Sequence, residues 1–137
     1  MLKPVIVLII WTLIMLIWLY AKRIPAMQKA KIKPDDYKLS SEKKNNPLPP
    51  DAVAVADNYN HLLEAPTIFY ALALAAQLGG YVDNHLIIHA WIYVALRIAH
   101  SLVQATQGKV IIRFSLFILS MLVLAIMAIQ VAIKVFN

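Results

Sequence analysis

The sequence predicts an all-α integral membrane protein: a single membrane domain over residues 1–137, folded as a four-helix bundle. Three observations predict it. Apolar residues make up 61% of the chain and the mean hydropathy is +0.69, whereas water-soluble domains are only about half apolar. Four segments come close to the roughly 20 apolar residues that cross a bilayer core. Charge is also concentrated, with eight of the thirteen Lys and Arg between Lys22 and Lys44. Cysteine is absent, which excludes disulfides, thiolate metal sites and a thiol nucleophile belonging to the protein itself.

The first helix is expected over residues 4–21. This run carries no charge and measures about 27 Å as a helix, just enough to cross the core. Lys3 before an apolar run also fits a signal peptide. The run is longer than a typical signal core, however, and no small-residue cleavage site precedes Lys22 and Arg23, so a retained helix is expected. Residues 22–50 read as a basic loop, with Pro25, Pro34, Pro47, Pro49 and Pro50 interrupting lysines and Asp35, Asp36 and Glu42. A short interfacial helix from Ile24 to Ile32 fits within it, but the prolines argue against anything longer. The cluster has no aromatic interleaving beyond Tyr37, unlike a nucleic-acid site. Juxtamembrane lysines drawn to anionic lipid are the expected reading, with membrane lipid as partner and no nucleic acid.

The second helix is expected over residues 51–78, kinked at Pro66 and ended by Gly79 and Gly80, with a tight turn over 81–84. The third is expected over 85–107, closed by Gly108, and the fourth over 110–136. The Lys-rich first loop, the nearly uncharged second, and Lys109 with Arg113 at the third place loops one and three in the cytoplasm. Lys3 and Lys134 run against that orientation.

Ionisable residues within spanning helices are costly and normally face the bundle interior or a wet cavity. Asp57, Asn60, His61 and Glu64 fall at i, i+3, i+4 and i+7, on one face of the second helix. His89, Tyr93, Arg97, His100, Gln104 and Gln107 form one narrow stripe on the third. Pairing the two helices about the turn at 81–82 puts Glu64 level with Arg97, near mid-membrane. Each would cost at least about 2.5–3.5 kcal/mol unpaired, so an ion pair between them is expected, within or between subunits. A pair of this kind serves register or ligand binding equally well. Arg113, Gln104, Gln107, Asn60 and Lys109 then rim a funnel floored by Arg97 and His100, suited to an anionic small molecule. His85 and His89 have the spacing of a metal pair but no convincing third ligand, so no metal site is expected.

The stretches Asn58-Tyr-Asn-His-Leu-Leu-Glu64-Ala-Pro66-Thr-Ile-Phe69 and Leu96-Arg97-Ile-Ala-His100-Ser-Leu, with Arg113 sixteen residues after Arg97, resemble the membrane-associated proteins in eicosanoid and glutathione metabolism (MAPEG). The resemblance is to bacterial-type members and covers helices two to four; the first helix and loop match in character only. It implies a homotrimer in a bacterial inner membrane, with glutathione as co-substrate bound between subunits and a lipophilic small molecule as second substrate. It also implies transferase or peroxidase chemistry. Arg113 matches the Arg that stabilises the glutathione thiolate, the catalytic role, and Glu64 the Glu that holds its amino group. Asn60 stands for the family Asn at a spacing of four rather than three. Arg97, His100 and Gln104 complete the expected ligand contacts. The sequence departs from the family at Asp57, where a basic residue is usual, and at Gln104 and Phe117, where aromatic hydroxyls are. These departures keep a second reading open: a non-catalytic protein that binds a lipid or a protein partner on the same trimeric fold.

Overall fold

The computed structural model describes residues 1–31, 48–106 and 108–137, which are all-helical apart from short connections. Helix α1 spans Leu2–Lys29. The apolar run ends at Ala21, yet the helix continues two turns further, straight through Pro25. The expected boundary was the edge of the hydrocarbon. Backbone hydrogen bonding does not stop there, and an N–H lost to one proline is tolerated where the freed carbonyl is solvated. The stretch from Ile24 is therefore the end of α1, not a separate interfacial helix; Ile32 lies outside the described residues. Lys22 anchors this extension by an ion pair to Asp51 at 3.1 Å. The rest of the expected loop, from residue 32 to residue 47, lies outside the described residues.

The expected second helix is two helices, α2 (Pro50–Glu64) and α3 (Pro66–Leu78). Pro66 has no N–H to return to Leu62, so the hydrogen-bond ladder breaks there. Ala65 between them keeps helical angles (φ −67, ψ −37), and the two segments follow one another as an interrupted rod. Carbonyls next to the break also take side-chain donors, the His61 carbonyl in addition to the Ala65 N–H. Thr67 Oγ1 donates to the Glu64 carbonyl at 2.6 Å, and Arg97 Nη2 donates to the His61 carbonyl at 3.1 Å.

Helix α4 spans Asn84–Ala105 and is capped by Asp83, whose side chain accepts from the Leu86 N–H at 2.7 Å. Gly80, at φ +73, makes the preceding turn in the left-handed region that favours glycine. Gly108 packs against the end of α4, where a β-carbon would lie 2.7 Å from the Val103 side chain and 3.0 Å from its carbonyl oxygen. Gln107, expected to extend the polar stripe, lies outside the described residues. Helix α5 spans Val110–Phe136.

Three helices, α1, α4 and α5, are individually long and apolar enough to cross a membrane. The break at Pro66 and the polar face of α2 separate the fourth expected crossing from that set. Leu8, Met15, Phe69, Leu86, Tyr93 and Met127 are fully buried between the helices. Ile10, Ile17, Ile111, Phe114, Leu122 and Ile129 are exposed around the outside, as they are when lipid is the solvent.

Helix α4 packs along α5 and is also in contact with α1 and α2. At the turn end of the bundle α3 touches α5, whereas at the basic end α2 and α5 do not approach each other. The turn end is also pinned by charge: Lys134 donates to the Asp83 carboxylate and, at 2.9 Å, to the Tyr81 carbonyl. That contact accounts for a lysine at the far end of an otherwise apolar helix. Deeper in, the Ser101 hydroxyl accepts from Asn58 Nδ2 at 2.8 Å and from Trp11 Nε1 at 3.0 Å, joining α4 to α2 and α1.

Candidate functional site

Because α2 and α5 stand apart at the basic end, a groove opens between them with α4 as its floor. It has three adjoining compartments. The outermost, about 500 Å³, is lined by Leu48, Pro50, Val53, Asp57, Gln104 and Arg113 among others. A polar middle of about 230 Å³ is lined by Asp57, Asn60, His61, Glu64, Gln104 and Arg113. A mostly apolar inner compartment of about 450 Å³ is lined by His61, Glu64, Ala65, His100, Val110, Arg113, Phe114 and Phe117. Arg113 borders all three. Its place on the first turn of α5, opposite the polar face of α2, puts the guanidinium where the polar and apolar parts meet.

The predicted residues fall into two sets. Asn60, Glu64, Gln104 and Arg113 line the polar compartment, and His100 lines the apolar one, where only 3% of its surface is exposed. Arg97 does neither. It is completely buried behind the floor, with its Cζ 5.6 Å from the centre of the Phe117 ring. The expected ion pair within a subunit does not form. The ion pairs among the described residues are Lys22–Asp51 and Lys134–Asp83, and Glu64 is exposed in the groove. Matching the helices in depth fixed the height of the two residues but not their direction. Glu64 lies on the groove side of α2, whereas Arg97 reaches the backbone of α2 one turn earlier, at His61. Its Nε and Nη1 are buried without a partner among the described residues.

Lys109, expected on the rim, is exposed just before α5 and does not line the groove. His61 has a larger role than the sequence indicated. Its Nδ1 lies 3.0 Å from Gln104 Oε1, bridging α2 and α4 across the middle of the groove, and its ring centre is 6.2 Å from that of His100. Its position in the polar face of α2 was the available signal. Val110 and Phe114 were not anticipated as lining, because an apolar side chain at the start of an apolar helix carries no distinguishing mark.

A side-opening groove with a polar middle and a mostly apolar inner end has room for an amphipathic molecule or for two molecules of unlike polarity. The chain belongs to the MAPEG family, whose family model matches residues 1–133. Neither a curated protein nor a solved structure gives a match.

Proposed function

We propose that this chain is a glutathione-dependent membrane enzyme of transferase or peroxidase type, acting on a lipophilic electrophile. The observation that carries this reading is the position of Arg113, the one Arg or Lys among the described residues that lines both the polar and the apolar compartment. A guanidinium beside a thiol favours the thiolate, which is the reactive nucleophile. In the proposed arrangement the glutathione sulfur lies at Arg113 and its ammonium at Glu64. Asn60 and Gln104 bond its amide groups, and the electrophile occupies the pocket of His100, Phe114 and Phe117. The sulfur forms the new bond as the leaving group departs. Holding both reactants at one point converts the encounter into an effectively unimolecular step.

The exposed Asp57 and Glu64 also favour a covering neighbour, because carboxylates at membrane depth face protein or a wet cavity in preference to lipid, and the family resemblance implies that the assembly is a homotrimer. A neighbouring copy would cover the open side of the groove, and the basic end would face the cytoplasm. The test is thiolate absorbance on adding glutathione to purified protein. The wild-type chain should give a saturable signal at millimolar glutathione, and Arg113→Ala should abolish it while remaining folded. Absence of the signal in the wild type rejects the proposal.

One observation favours the second reading, a non-catalytic lipid-binding protein: among the described residues, no hydroxyl side chain lines the groove. That reading predicts saturable lipid binding that Arg113→Ala leaves unchanged.

A further inference from the structure

The charges along the groove have an order. Asp57 borders the outer and middle compartments, Glu64 the middle and inner ones, and Arg113 all three. Among the described residues, Asp57 toward the mouth and Glu64 toward the inner end thus flank a polar middle that Arg113 borders from α5. Neither carboxylate is among the ion-paired groups of the described residues, whereas nearby Asp51 is held by Lys22. Asp57 and Glu64 are two helical turns apart, about 10.5 Å along the axis. Arg97, behind Phe117, adds positive charge under the inner end and none at the mouth.

A ligand complementary to this order is positive, negative, positive. Glutathione supplies an ammonium, flanked by its own α-carboxylate, and a sulfur able to carry negative charge, but its far end is a second carboxylate. That carboxylate would sit beside the exposed Asp57, where like charges repel.

We infer, resting on the thiol reading above, that the preferred thiol carries a second cation in place of that carboxylate. The ligand class is a peptide thiol whose terminal carboxyl is condensed as an amide with an aliphatic di- or polyamine. Its α-ammonium pairs with Glu64, its sulfur lies at Arg113, and its distal ammonium pairs with Asp57. Cationic spacing of about 10 Å is within reach of such a chain, and Asn60 and Gln104 offer the amide contacts between.

The experiment compares equilibrium binding of glutathione, of its amide with a linear triamine, and of the free triamine to the full-length protein in detergent at low salt, with thiolate absorbance recorded in parallel. The amide is expected to bind about tenfold more tightly than glutathione, an energy difference of about 1.4 kcal/mol. Asp57→Asn should bring the ratio toward one, and Asp57→Lys should invert it. Equal or tighter binding of glutathione, with thiolate absorbance intact and Asp57→Lys without effect, overturns the inference and leaves the thiol reading standing. Free triamine binding as tightly as the amide also overturns it, because the sulfur would then contribute nothing. If neither thiol gives saturable binding or a thiolate signal, the thiol reading falls and this inference falls with it.

Discussion

Arg97 donates from Nη2 to the carbonyl oxygen of His61 at 3.1 Å, so a buried guanidinium braces the α2 backbone one turn before the proline break. A long cationic side chain is thereby used as a strut between α4 and the interrupted rod.

Removing that strut should cost stability more than it changes the surface of the groove. Arg97→Ala deletes a buried hydrogen bond and opens a cavity, a loss of about 2–5 kcal/mol by comparison with large-to-small core substitutions. Arg97→Gln, which keeps a donor, should recover part of it. Thermal unfolding in detergent checks both variants. Equal stability of Arg97→Ala and wild type would remove the bracing role.

Glu64 should behave in the opposite way. It is exposed in the groove, so Glu64→Gln should change unfolding free energy by less than about 0.5 kcal/mol. In the proposed site the same substitution removes the partner of the ligand ammonium and should weaken thiol binding about tenfold. Paired thermal and binding measurements on one preparation separate the two effects.

Ser101→Ala should be costly for so small a change. The hydroxyl accepts from both Asn58 and Trp11, and deleting it strands the buried Asn58 amide at about 1–3 kcal/mol, with a smaller loss at the half-buried Trp11 indole. The indole of Trp11 also reports on the loss, since its fluorescence should shift when the Nε1 hydrogen bond disappears. Trp18 and Trp91 need replacement by Phe to isolate the signal.

The Asp83–Lys134 contact makes the turn end sensitive to acid. Hydrogen bonding to Lys134, then to the Leu86 N–H, holds the Asp83 carboxyl below its ordinary value of 3.8. A carboxyl depressed in the folded state contributes stability that is complete above its unfolded value. That contribution is lost as pH falls through the folded value. The stability difference between wild type and Asp83→Asn should therefore be constant near neutrality and shrink below about pH 4. Unfolding midpoints measured across that range check the sign.

Much of this arrangement was legible before any coordinates. The 3.6-residue period placed Tyr93, Arg97, His100 and Gln104 on one inward face of α4, and all four are buried there. Chain reversal set which residues of α2 and α4 share a depth, as His61 and Gln104 do. What period and depth cannot supply is the rotation of one helix against another, and that quantity decided whether Arg97 met Glu64 or the His61 carbonyl. Helix ends were misjudged for a different reason. Hydropathy reports where lipid ends, whereas Lys22 to Lys29 are held helical by backbone bonds and by the Lys22–Asp51 pair. Asn58 was read as part of a motif, and its bond to Ser101 depends on a third helix that no sequence spacing relates to it.

The separation of α2 from α5 has a kinetic corollary. If the apolar inner compartment is filled from the bilayer, as proposed for the electrophile, supply is by diffusion within the leaflet, and the quantity governing its occupancy by an oily compound is the mole fraction of that compound in lipid. Diluting vesicles in buffer at constant composition should then leave occupancy unchanged, whereas adding empty lipid to the same bilayer should lower it.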